Sequence, residues 1–112
     1  KELIVWQKSM DLAKEIYRLT DKFPKSELYG ITSQMRRAVV SIPSNIAEGY
    51  AKKSKKEYKY YYSIAYGSAL ELETQMILSK DLNFVNNKEF EKSEKLILEV
   101  LKMLNKMTRG DS

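Results

Sequence analysis

Residues 34–49 read QMRRAVVSIPSNIAEG, and the spacing of their side chains gives the clearest indication of the architecture. Apolar side chains recur every three or four residues, which is the period of one face of an α-helix. These positions are Ile31, Met35, Ala38, Ile42, Ile46 and Gly49. The stripe keeps its phase across Pro43, although proline removes a helical hydrogen bond. We therefore predict a continuous second helix that runs to about Tyr50 and is kinked at Pro43.

A similar pattern upstream predicts a first helix, which ends at the residue before Pro24 because that residue is pushed out of the α region. Its apolar side chains are Trp6, Met10, Ala13 and Tyr17, with Leu12, Ile16, Leu19 and Phe23 widening the same face. A third helix is predicted to open near Ser54, since Glu57 follows at capping-box spacing. Its apolar seam is Tyr58, Tyr61, Ala65, Ala69, Leu72 and Met76.

The middle of the third helix holds Gly67-Ser68-Ala69, a run of small residues that would let a neighbouring backbone come close. A fourth helix carries Phe90, Ile97, Val100, Leu104 and Met107. Four helices with short connections favour antiparallel neighbours. The sequence thus predicts an all-α protein, an antiparallel up-and-down four-helix bundle that forms a single domain over residues 1–112.

Composition excludes several classes of function. The chain has no cysteine and no histidine, so it lacks thiolate ligands, disulfides and the commonest general base. No apolar run approaches the roughly 18 residues of a membrane-spanning helix. We therefore expect a protein of the reducing cytoplasm that is not an enzyme, has no membrane role, and needs neither a metal nor another cofactor.

Positive charge is concentrated in one part of the chain. The formal net charge is +5, and residues 24–62 hold eight basic and three acidic side chains. The densest part is Lys52, Lys53, Lys55 and Lys56, with Lys59 beyond. Such a patch suits a polyanion, although a solvated connection between two helices explains it equally well.

The second helix has more than one distinctive face. On a helical wheel Gln34, Arg37, Ser41, Asn45, Glu48 and Lys52 fall within about 60° of one another. The polar stripe could make satisfied hydrogen bonds between helices or subunits, or it could bind phosphate or a partner through Arg36 and Arg37. Apolar side chains continue round the far side, which favours a subunit interface. The predicted interface is Gln34, Arg37, Val40, Ser41, Asn45, Glu48 and Tyr50.

Tyrosines crowd the start of the third helix among lysines. Tyr58, Tyr60, Tyr61, Tyr62 and Tyr66 cannot all face one core. Burial against another subunit is our first interpretation, because tyrosine is enriched at such contacts. Stacking on unpaired bases is the alternative.

The block 34–49 closely resembles the signature of the bacterial 23S rRNA intervening-sequence proteins. Residues 3–10 (LIVWQKSM) resemble that family's first helix and residues 64–73 (IAYGSALELE) its third. The resemblance implies a four-helix bundle assembled as a homopentamer without established enzymatic activity. A related branch comprises accessory proteins of diversity-generating retroelements, which bind nucleic acid and a reverse transcriptase through a basic surface.

Two hypotheses of function follow. In the first, an oligomeric bundle binds RNA or DNA mainly through phosphates, using Arg36, Arg37, Lys52, Lys53, Lys55, Lys56 and Lys59. In the second, the same basic surface meets an acidic protein partner, and the protein is a scaffold without a nucleic-acid role.

Overall fold

The structure, a computed structural model, describes residues 2–109. Over that range the chain forms four α-helices, namely α1 (Glu2–Thr20), α2 (Ser33–Tyr50), α3 (Lys55–Asp81) and α4 (Glu91–Arg109). A 3-10 turn (Lys25–Glu27) and a π-type turn (Leu28–Thr32) join α1 to α2, and a second 3-10 turn (Asn87–Phe90) leads into α4. The predicted all-α four-helix bundle is confirmed.

Ion pairs near the helix ends show which ends are neighbours in the antiparallel bundle. The Nζ of Lys22, just after α1, lies 2.9 Å from Oε1 of Glu89, just before α4. The Nζ of Lys80, at the end of α3, lies 2.8 Å from Oε2 of Glu94, in the first turn of α4. The hydrogen bond from Lys22 also lowers the pKa of Glu89 below its ordinary value. At one end of the bundle, the ends of α1 and α3 therefore lie beside the starts of α2 and α4. At the other end, the ends of α2 and α4 lie beside the starts of α1 and α3.

The core follows the predicted stripes in α2 and α4, apart from the half-buried Ile31 and Met107 and the additional buried Val39, and differs more in α1. Leu12, Ile16 and Leu19 are fully buried, whereas Tyr17 is 44% exposed. Trp6, Met10 and Ala13 are half-buried. Two adjacent apolar stripes on α1 share the helical period, and only one of them faces the centre of the bundle. The other lies along the edge that α1 shares with α2. In α3, Tyr62 rather than Tyr61 occupies the buried position.

The second helix is continuous through Pro43, which is buried inside it. The backbone leaves helical dihedrals upstream, at Gly30, where φ is −114° and ψ is −114°. The chain therefore changes direction at Gly30 as it enters α2, and the α-helix itself begins at Ser33.

Of the run Gly67-Ser68-Ala69, Gly67 itself makes no close helix contact, whereas Gly49 lies at a tight approach of α2 to α3. A Cβ on Gly67 would meet nothing within 4 Å, so this glycine faces open space. A Cβ on Gly49 would lie 2.5 Å from the ring of Tyr62 and 3.2 Å from the carbonyl oxygen of Tyr58. The tight contact between α2 and α3 therefore depends on the glycine of α2.

The turn after α3 depends on a left-handed residue. Asn83 has φ of 56°, and its N–H donates to the carbonyl of Lys80 at 3.1 Å. The N–H of Phe84 donates to the carbonyl of Ser79 at 3.2 Å, which completes a Schellman motif. This turn places the ring of Phe84 5.4 Å from that of Phe23.

We expect Asn83→Val to destabilise the fold by about 1–2 kcal/mol, because a side chain without local hydrogen bonds adopts this conformation at that cost. Asn83→Gly should match or exceed the wild-type stability, since glycine accepts positive φ freely. Urea unfolding of the three proteins measures the difference. Equal stability of the valine and glycine variants would contradict the assignment.

Candidate nucleic-acid interface

The predicted basic cluster lies where α3 begins. Ser54 caps this helix, because its Oγ accepts a hydrogen bond from the N–H of Glu57 at 3.1 Å. The predicted capping position is thereby confirmed, and the cap fixes Lys55 and Lys56 in the first turn of the helix. Lys53, Lys55 and Lys56 are all exposed. None of the three has an ion pair to any acid that the structure describes.

Lys52 and Lys59 are less available than the other lysines, since both are half-buried. The Nζ of Lys52 lies 3.7 Å from the carboxylate of Glu48 and 5.2 Å from the centre of the Tyr61 ring. Its charge is partly compensated within the chain. The free charge of the cluster is therefore carried mainly by Lys53, Lys55 and Lys56.

The two predicted arginines lie in another part of the bundle. Arg37 precedes Lys52 by 15 residues, about 20 Å along a helix. Arg36 donates from Nε to the hydroxyl of Thr20 at 2.9 Å, and its guanidinium lies 4.6 Å from the centre of the Tyr17 ring. Arg36 therefore fastens α2 to the end of α1. Arg37 is exposed and makes no hydrogen bond or ion pair with the rest of residues 2–109.

Antiparallel packing brings further positive charge to the lysine cluster. The last turns of α4 lie at the same end of the bundle as the start of α3, and they carry Lys102, Lys106 and Arg109. Sequence reasoning missed these residues because some forty positions separate them from the cluster. The signal that could have found them is the predicted topology, which already places the fourth helix's end beside the third helix's start.

Charge is therefore distributed unequally between the two ends. Residues 48–59 hold five lysines and two glutamates, and residues 102–109 hold three basic side chains and no acidic one, a net charge of +6. At the opposite end, residues 15–37 hold five basic and three acidic side chains. Residues 80–94 hold three basic and four acidic side chains, so the net charge of this end is +1. We call residues 48–59 together with 102–109 the basic end.

The predicted subunit interface divides into two groups. The hydroxyl oxygens of Ser41 and of Ser68 on α3 lie 2.8 Å apart and share a hydrogen bond. The side-chain amide of Asn45 donates to the carbonyl of Ser41 at 2.9 Å. Both side chains make hydrogen bonds within the bundle. The remaining predicted residues are exposed, namely Gln34, Arg37, Val40, Glu48 and Tyr50.

Two open grooves lie along the edge between α1 and α2. One, of about 550 Å³, is lined by Tyr17, Leu28, Tyr29, Thr32, Ser33, Arg36, Arg37 and Val40. The side chain of Tyr29, at the rim of this groove, is 95% exposed. The other groove, of about 340 Å³, lies at the basic end and is lined by Leu3, Trp6, Ile46, Ala47 and Tyr50.

The tyrosines of α3 occupy different environments. Tyr62 is buried and Tyr60 is 62% exposed, whereas Tyr58, Tyr61 and Tyr66 are half-buried. The rings of Tyr60 and Tyr61 meet edge to face with their centres 5.1 Å apart. The expectation that these rings cannot share one core holds for Tyr60.

Within residues 2–109 no three acidic side chains come together in a group that could hold a metal ion. Over the same part of the chain, no helix combines the length and the apolar character needed to span a membrane.

Comparison with known proteins gives one family and one fold. Residues 1–106 match the family model described as 23S rRNA-intervening sequence protein. A solved structure of a protein of unknown function from the S23 ribosomal protein family of Bacteroides thetaiotaomicron superposes with a TM-score of 0.86 at 23% identity, covering 94% of this chain and 98% of that one. That likeness shows a shared fold. No curated protein matches the chain.

Proposed function

The chain belongs to the 23S rRNA-intervening sequence protein family, and from this premise we propose that it is a cytoplasmic, non-enzymatic homo-oligomer that binds RNA or DNA through its basic end. The binding is to phosphates and carries little dependence on base sequence. By the family resemblance the oligomer is a pentamer.

The observation that carries the proposal is the asymmetry of charge. The basic end holds a net charge of +6 against +1 at the opposite end. Five of its lysines are exposed and lack ion-pair partners among the described residues, namely Lys53, Lys55, Lys56, Lys102 and Lys106. Such a surface binds a nucleic acid favourably, since each phosphate that a lysine neutralises releases condensed counterions into solution.

The position of two of these lysines also favours an anionic ligand. Lys55 and Lys56 lie in the first turn of α3, where the helix dipole is positive and cations are unfavourable by a few tenths of a kcal/mol each. The lysines therefore do not stabilise the helix on which they lie. The dipole and the lysines instead add to one another in attracting phosphate.

Salt dependence tests this proposal. Neutralisation of at least three phosphates predicts that log affinity for a single strand falls against log salt with a slope of about −2 or steeper. A fluorescence-anisotropy titration of labelled RNA over a range of salt measures this slope. Absence of RNA and DNA binding at about 50 mM salt, where such contacts are strongest, would overturn the proposal. Binding only to an acidic protein would then favour the scaffold hypothesis.

Exposed apolar surface supports the oligomer. Tyr29, Leu28 and Val40 surround the larger groove and are 95%, 45% and 44% exposed. Contiguous exposed apolar surface marks interaction sites, and tyrosine and arginine are the side chains most often found at the centre of an interface. We place the subunit interface on this part of α2, around Arg37 and Val40.

Val40→Asp is expected to dissociate the oligomer, because it replaces an apolar side chain of the contact with a carboxylate whose desolvation costs free energy. Light scattering should give near five times the 13.1 kDa of one chain for the wild type and the single-chain mass for the variant. Leu98→Asp is the control, since Leu98 is 59% exposed on α4. A single-chain mass for the wild type would remove the proposed assembly without affecting the basic end.

A further inference from the structure

We infer that the smaller groove, at the basic end, receives an unpaired nucleobase whose phosphates are held by the neighbouring lysines, so that the protein prefers single-stranded to duplex nucleic acid. The inference deepens the proposed function and rests on it. Its basis is the juxtaposition of an apolar, aromatic groove with the lysine cluster, in which Lys53, Lys55 and Lys56 have no ion pair with a described acid.

The groove is apolar along its whole length. Leu3 and Trp6 of α1 form one wall, and Ala47 and Tyr50 of α2 form the other. Its volume is about 340 Å³, and none of the side chains that line it carries a charge. A phosphate would lose its hydration here without compensation. The groove therefore suits an uncharged, planar group.

The aromatic side chains of the groove are accessible. Tyr50 is 72% exposed, and Trp6 is half-buried with part of its indole on the groove. A base can stack on an accessible aromatic side chain, an interaction available to every base because each has a π-face.

Positive charge begins immediately beyond the groove. Tyr50 is the last residue of α2, and Lys52 and Lys53 follow it by two and three residues. A ligand that places a flat apolar group against Tyr50 and negative charge against these lysines combines the two properties of a nucleotide. A duplex keeps its bases stacked inside the helix and offers only its phosphates to this end.

The groove lies away from the centre of the surface proposed for assembly. Val40 and Tyr50 are ten residues apart on α2, which is about 15 Å along the helix axis. Light scattering of Tyr50→Ala measures whether a second subunit also reaches Tyr50, which the sequence placed in the predicted interface.

Trp6 provides a direct measurement, since it is the only tryptophan of the chain. Titration with a single-stranded oligo-uridine and with an RNA duplex of equal length, followed by tryptophan fluorescence and by anisotropy, compares the two ligands. We expect both to bind and only the single strand to quench Trp6. Tyr50→Ala should weaken single-strand binding by about 5- to 150-fold and leave duplex binding unchanged, while Tyr50→Phe should behave as wild type.

Leu98→Ala is the control, because Leu98 is an exposed apolar side chain of α4 that does not line the groove. It should leave the single-strand preference unchanged. Equal binding of both ligands without quenching overturns this inference and leaves the proposed function standing. Binding of neither ligand overturns both. A lower light-scattering mass for Tyr50→Ala with an unchanged preference would assign the groove to a second copy of the chain and overturn the inference.

Discussion

Changing Lys52, Lys53, Lys55 and Lys56 together to glutamate is expected to weaken nucleic-acid binding by at least about a hundredfold at about 50 mM salt. The four substitutions remove eight units of charge, so the basic end changes from net +6 to net −2. Phosphates would then approach a negative surface and release no counterions to compensate. Fluorescence anisotropy with a labelled RNA measures the loss.

A matched variant separates position from total charge. Lys14, Lys25, Lys88 and Lys95 are exposed and have no ion pair with any described acid, and none lies in the basic end. Changing these four to glutamate produces the same net charge. We expect this variant to bind within about tenfold of the wild type, the remaining difference being long-range attraction that salt screens. An equal loss in both variants would show that overall charge, and no particular end of the bundle, governs binding.

Much of the fold could be read from hydrophobic periodicity. The stripes of α2 and α4 named most of the buried residues, although Ile31 and Met107 are half-buried and the fully buried Val39 lies outside the predicted stripe. The pattern was ambiguous in α1, where Trp6, Met10, Ala13 and Tyr17 share the helical period with the stripe that is actually buried. Periodicity gives the width of an apolar face, and the angle at which neighbouring helices approach decides which part of it is buried.

The candidate site was only partly readable, since a surface combines residues that are distant in sequence. The run of lysines from Lys52 to Lys59 was visible as a local excess of charge. The contribution of Lys106 and Arg109 depends on the packing of α4 against its neighbours. Arg36 has the same charge as Arg37, yet the hydroxyl of Thr20 and the ring of Tyr17 engage it. Such contacts cannot be deduced from the type of residue alone.

Gly49 and Gly67 are expected to respond in opposite directions to the same substitution. Both lie within α-helices, where alanine is favoured over glycine by roughly 0.5–1 kcal/mol. A Cβ on Gly67 meets nothing within 4 Å, so Gly67→Ala should raise the free energy of unfolding by about that amount. A Cβ on Gly49 would lie 2.5 Å from Cε1 and 2.8 Å from Cδ1 of Tyr62.

The ring of Tyr62 cannot move aside cheaply, because it is only 2% exposed and is packed 5.6 Å from the ring of Tyr58. Forcing an extra methyl group into a packed core costs about 1–3 kcal/mol, which exceeds the gain in helix propensity. Gly49→Ala should therefore lower the free energy of unfolding by about 1–2 kcal/mol, as measured by urea denaturation at a fixed protein concentration. Stabilisation by Gly49→Ala would show that α2 and α3 can separate at this point without loss, and that the packing of Tyr62 does not require glycine opposite it.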